Sequence, residues 1–341
     1  MKRREFLQNL SAVGASALLP CHASAGTSPS ISQTQRPSED AAAGRVAVVA
    51  IGSAGVAVLS ALSGKLLYLK RSIAISTDPV TLLRAAADEK LMFGLHAVSQ
   101  FPKGFRRDFE DTLERIDIAF VIVGRGDSAD SEPAEVIADV LRAKSIPAIA
   151  AVIPAIGSED ECREELIPDH LRALKDVSKT AFQLTTAARI SGKPPHRWCS
   201  TPNRAADAFD RLYHGVVKPV FGEGLITLDL EDVVSILSQN GASAFGVGTA
   251  SGEHAVETAT LRAITSSSLG RRRLFSASAV FVHLDGHPDL LRFKTVAAMM
   301  RIVGRATDEH YDCLLLPSAT EANTLPQNCQ VTILASGVHE L

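Results

Sequence analysis

The chain carries two kinds of apolar pattern in alternation. Runs such as Val46–Ile51, 118–124 and 146–153 are apolar at nearly every position, as in a strand buried on both faces. Between them stand segments with helical spacing. Within 201–220, for example, Ala206, Phe209, Leu212 and Val216 recur on one face. The pattern predicts a strand at 72–78 and a helix over 79–91 opened by Pro79. A charged helix over 106–117, a helix over 132–144 and a helix over 159–175 follow, with a weaker apolar segment at 180–187. Beyond Gly224 the rhythm changes: a helix over 230–241 closed by Gly241, a strand at 242–251, and a helix over 252–267 with Ser251 as its N-cap. A strand at 278–286, a helix over 290–306 and strands at 312–319 and 330–338 complete it. Strands alternating with helices predict an α/β fold: a parallel sheet covered on both faces, then a second, smaller α/β unit.

The 341 residues suffice for one large or two medium domains, and 46% hydrophobic with 21% charged fits a chain with a substantial core. A net charge of −3 gives no ground for nucleic-acid or membrane-surface binding. Five scattered cysteines, with no C-x-x-C, argue for neither a zinc nor a redox motif.

The N-terminus adds an address. Lys2-Arg3-Arg4 precede Phe6-Leu7, a mild apolar stretch from Leu10 to Leu19, and Ala23-Ser24-Ala25. This layout resembles a twin-arginine export signal, and its apolar run is too short to cross a bilayer. The expectation is a signal at 1–25, a flexible linker at 26–44 rich in Ser, Thr, Pro and Ala, and an exported, periplasmic protein with no transmembrane segment. The alternative is a cytoplasmic chain with a basic N-terminal tail.

Candidate chemistry begins after the strand at 118–124, where Gly124-Arg125-Gly126 turns into a helix. Strand, glycine turn and helix can cradle a phosphate through backbone N–H groups. Here, however, Asp127, Asp130 and Glu132 crowd the turn. Two carboxylates near a phosphate at ~4–5 Å each cost about 3–4 kcal/mol at an effective dielectric near 20. A helix N-terminus returns only about 0.3–2 kcal/mol.

The stretch GEGLITLDLEDVVSILSQNGASAFGVGTASGEHAVETATLRAITSSSL carries a resemblance. Gly224, Leu225, Ile226, Asp229, Asp232, Val233, Gly246, Gly248, Ala250 and Gly252-Glu253 stand where FtsZ carries its corresponding motifs. Ser76-Thr77-Asp78 matches the family's N-T-D, and 331–338 matches the closing V-T-V-I-A-T-G. Over about 45–338 the chain resembles the FtsZ/tubulin superfamily, closest to bacterial FtsZ. The resemblance implies a Rossmann-like nucleotide-binding domain at 45–220 that includes a long central helix, and a smaller α/β C-terminal domain at 221–341. It also implies head-to-tail self-association, with GTP and Mg²⁺ between subunits. Asp229 and Asp232 match the catalytic pair that one subunit offers to the next subunit's nucleotide. Gly52, Gly55, Gly124, Gly126 and Ser128 match the phosphate loops. Glu159 and Arg163 match the ribose and guanine contacts, and Asp207 matches the carboxylate that pairs with guanine.

Each carry-over has a plainer counterpart. Asp229 and Asp232 also suit the dipole at a helix start, Glu159 and Arg163 an i,i+4 surface pair, and Asp207 a solvated helix position. The departures concentrate at the phosphates. Thr227 replaces the motif's asparagine, Val56 and Val58 narrow the first loop, and 124–131 has lost both threonines and most glycines of G-G-G-T-G-T-G. The chain stops at Leu341, so the adaptor-binding tail of FtsZ is not expected. The expected function is an FtsZ/tubulin-like structural or assembly protein with weak or absent GTP hydrolysis. The alternative is an active, polymer-forming GTPase. A dinucleotide-binding oxidoreductase is poorly supported: the first turn lacks G-x-G-x-x-G, and Asp78 is better explained by the Ser-Thr-Asp match. His283, Asp285, His287 and Asp289 (HLDGHPD) resemble a metal site only in composition, and Gly270-Arg271-Arg272-Arg273-Leu274 is expected to be a solvated loop.

Overall fold

A computed structural model describes residues 45–94, 103–124, 131–153, 174, 180–184, 202–239, 242–266, 269–307, 313–322 and 328–338. The expected signal, linker and helix over 159–175 lie outside these residues, Leu174 excepted.

The first sheet holds β1 (Val46–Ile51), β2 (Leu69–Ser76), β3 (Glu89–Met92), β4 (Ile118–Gly124), β5 (Ala148–Ile153) and β6 (Ala181–Gln183). Its order is β3-β2-β1-β4-β5-β6, and every pairing is parallel. The continuous apolar runs are explained by cover on both faces. Val46, Val48 and Ala50 of β1 pack into one core cluster, and Ala47, Val49 and Ile51 into another. Helices α1 (Gly52–Ala61), α2 (Pro79–Arg84), α3 (Lys103–Thr112) and α4 (Ser131–Ala143) connect the strands.

Helix α5 (Pro202–Phe221) separates this sheet from the second. It buries Phe209, Leu212, Tyr213 and Val216, with Phe120 of β4 tilted or edge-on against Phe209 and Tyr213. At roughly 1.5–3 kcal/mol each, these four outweigh the roughly 3 kcal/mol that Pro219 costs inside the helix. The second sheet comprises β7 (Gly224–Ile226), β8 (Ala242–Ser251), β9 (Ala279–Gly286), β10 (Leu314–Glu321) and β11 (Asn328–Val338), in the order β7-β10-β9-β11-β8. β9 and β10 are parallel; the other pairings are antiparallel. Its outer face is covered by α7 (Ala255–Ile264), α8 (Gly270–Phe275) and α9 (Phe293–Gly304). Its inner face contributes Phe245, Phe281 and Leu334 to the cluster shared with α5 and β1. Helix α6 (Leu230–Leu237) adds Val233 and Ile236 to that cluster.

Four sequence expectations change. The helix over 79–91 stops at Arg84 because Ala85 turns extended, and Glu89–Met92 is an edge strand. The helix at 230 ends at Leu237, short of Gly241. Ser251 closes β8; the N-cap of α7 is His254, and its side chain makes no capping bond. Gly270–Phe275 is a short helix held by buried Leu274 rather than a solvated loop.

Candidate functional site

In an open parallel sheet, a crevice forms where connections leave in opposite directions, outside the carboxyl ends of the strands. Here β1 sits between β2 and β4, so that crevice lies above Ile51 and Gly124. Helix α1 follows β1 with no intervening loop. Gly52 has φ 73, a conformation that side chains with a Cβ rarely adopt. A Cβ at Gly55 would sit 2.7 Å from the Ile122 carbonyl oxygen, and one at Gly124 would lie 3.1 Å from the Ala54 Cβ. The two turns therefore pack directly on one another. Among the described residues no side chain caps α1, and Ser53 and Ala54 are exposed, so its start retains N–H groups of the kind that suit an anion. The neighbouring helix offers less. Asp78 caps α2, accepting from the Val80 and Thr81 N–H groups at 3.1 and 2.9 Å and from the Thr81 hydroxyl at 2.6 Å. The Thr81 hydroxyl first, then the two amides, hold its carboxyl below the usual range.

Asp207 is exposed on α5, and its place along the sheet follows from the helix geometry. Tyr213 donates to the Leu67 carbonyl at 2.7 Å, beside the start of β2. Six residues earlier, Asp207 lies about 9 Å toward the crevice end. Gly52, Gly55, Gly124 and Asp207 thus share one end of the molecule. Gly126, Ser128, Glu159 and Arg163 lie outside the described residues.

Asp229 and Asp232 stand at the other end. Asp229 occupies the N-cap of α6 at φ −76, ψ 152, yet its side chain makes no capping bond. Asp232 and Glu231 are in the first turn, and all three carboxylates are exposed. A groove there is lined by α6 (Leu230, Val234) and by the starts of β4 and β5 (Ile118, Ala148). The two ends are separated by α5, which spans about 30 Å. One copy of the chain cannot bring the two groups of residues together; a head-to-tail pair of copies can.

A further set of polar residues was seen in the sequence only in part, as His283 and Asp285 of HLDGHPD. Inside the second sheet, Lys218 of α5 pairs with Asp285 of β9. His283 lies between the Ser318 and Thr320 hydroxyls, each at 3.3 Å, and Ser318 donates to the Ile226 carbonyl at 2.9 Å. The signal was present in HLDG, where two polar residues spaced by two fall on one face of a buried strand. Among the described residues no group of three or more His, Cys, Asp or Glu could hold a metal ion. Nor is any described helix long and apolar enough to cross a membrane.

Two sheets flanking one long helix, with glycine turns at one end and an acidic loop at the other, define an FtsZ/tubulin-like fold. Comparison with known proteins agrees. The structure is similar to an FtsZ from M. jannaschii, with TM-score 0.69 and 20% identity over 86% of this chain and 91% of that one. It is also similar to CetZ2 from Haloferax volcanii in a GTPγS-bound protofilament, with TM-score 0.63 and 19% identity over 87% and 94%. In sequence, the chain is 21% identical to the cell division protein FtsZ of Neisseria gonorrhoeae over 86% of this chain and 78% of that protein. It is 25% identical to FtsZ 2 of Rhizobium meliloti over 86% and 88%. No family model matches the chain.

Proposed function

We propose that the protein is an FtsZ/tubulin-like assembly component that associates head to tail and has weak or absent GTP hydrolysis of its own. The observation that carries the association is the placement of Gly52, Gly55, Gly124 and Asp207 at one end of α5 and of Asp229 and Asp232 at the other. Structural neighbours that are a dimer of M. jannaschii FtsZ and a CetZ2 protofilament support it. The weakened chemistry is argued from the acidic residues Asp127 and Asp130 in the sequence after Gly124, and from Asp78, whose carboxylate already occupies the α2 amides. For GTP with Mg²⁺, the described residues offer the open N–H groups of α1 and little else.

Titrating the protein with labelled GTP and Mg²⁺ tests this. The expected result is no saturable micromolar binding and no turnover. Micromolar binding with turnover that falls on Asp229→Ala would instead establish the second reading, an active polymer-forming GTPase, which the uncapped α1 favours. Export of the chain is a further proposal, resting on Lys2-Arg3-Arg4 and the residues after them. A reporter fused to residues 1–30 and retained in the cytoplasm would refute it.

A further inference from the structure

We propose that Lys218, Asp285, Thr320, His283 and Ser318 act as positioning residues for the loop that presents Asp229 and Asp232. They form a line of polar contacts, with one ion pair at its end, that fixes the end of β7 against the central helix. The proposal rests on the reading that the Asp229–Asp232 end is a working face.

β7 needs such a tie. It is a short edge strand whose pairing with β10 comprises Ile226 opposite Ala319 and Gly224 opposite Thr320, with a register shift between them. Directly after it the chain leaves the sheet for the loop. Two bonds hold this junction: Ser318 donates to the Ile226 carbonyl at 2.9 Å, and the Leu228 N–H donates to the Pro219 carbonyl at 2.9 Å. Both lead back to the end of α5.

The hydroxyl protons give the line a direction. Ser318 spends its proton on Ile226, so it accepts from His283 Nδ1–H. His283, fully buried and beside the Lys218 ammonium, stays neutral, which leaves Nε2 as the acceptor for the Thr320 hydroxyl. Having given its proton to Nε2, Thr320 only approaches the Asp285 carboxylate, oxygen to oxygen at 3.5 Å, and Asp285 holds Lys218. The contacts carry a shift at Lys218 to Ile226 through four side chains.

Stability alone does not ask for this arrangement. Buried ion pairs replaced by well-packed apolar residues are often neutral or stabilising. On the same inner face, Phe281 and Leu334 are apolar. Beyond them Ser336 makes its own bond to the Ile236 carbonyl, while His283 and Ser318 lie toward the end of the sheet where β7 pairs.

Hydrogen exchange on the full chain tests the assignment. Ser318→Ala and Thr320→Val should each raise amide exchange across 224–233 about tenfold, the effect of one lost hydrogen bond. β1 and β4 should exchange as in the wild type. Thr320→Ser, which keeps the hydroxyl, should restore slow exchange in the loop. Lys218→Met combined with Asp285→Leu, which strands neither charge, should loosen the loop as Ser318→Ala does. Loop exchange at the wild-type rate in Ser318→Ala, or an equal rise throughout the second sheet, overturns the proposal. The underlying reading fails separately, if Asp229→Ala leaves self-association by sedimentation velocity unchanged.

Discussion

His283 is enclosed between two hydroxyls, and burial first, then the Lys218 ammonium, pushes its pKa down to about 3. In the unfolded chain the imidazole titrates near 6.5. The unfolded state therefore binds the proton first as pH falls. The contribution of His283 is complete above about 6.5 and is lost progressively toward pH 3. Between pH 7 and pH 5 this one residue should lower the unfolding free energy by about 2 kcal/mol. Urea titrations at the two pH values measure it, and His283→Asn should remove about that much of the pH dependence. At Gly248 sterics decide: a Cβ there would lie 2.0 Å from the Ala259 carbonyl oxygen. Gly248→Ala should cost about 1–3 kcal/mol, read as a lower urea midpoint.

The match of Gly246 and Gly248 to a known motif has a packing cause at the scale of elements. Both glycines let α7 lie directly on β8, since a Cβ at Gly246 would meet the Ala263 carbonyl oxygen at 2.2 Å. Strands were legible because β1, β4 and β5 are buried on both faces and must be apolar throughout. β3 was missed because its half-exposed Glu-Lys-Leu-Met continues a helix-like composition. The glycine turns and the acidic loop could be placed from their order in the chain. The Lys218–Ser318 line could not, because its members come from three distant segments that meet only once both sheets have packed on α5. The acidic loop itself is exposed and uncapped, so Asp229→Ala and Asp232→Ala should change stability by no more than about 0.5 kcal/mol. Thermal denaturation of each variant checks this.

For the whole molecule, the separation of the two ends by about 30 Å of helix makes concentration the controlling variable. Sedimentation velocity should show average mass rising with protein concentration, and Asp229→Ala with Asp232→Ala should weaken that rise without lowering the melting temperature. If nucleotide does not contribute, millimolar GTP should leave the melting temperature unchanged, because a ligand specific for the native state must raise it.

The order β7-β10-β9-β11-β8 has a consequence for synthesis on the ribosome. Among the described residues β8 pairs with one strand, β11, which follows all the others in sequence and also separates β8 from β9. While 252–327 are being translated, β8 waits without β11 and with Phe245 lacking its cross-strand neighbour Leu334. The first sheet, by contrast, has all its strands by Gln183. The nascent chain thus passes through a stage in which one half can fold and the other is held open until β11 emerges. During that interval the bare edge of β8 is the part most exposed to chaperones and to mispairing.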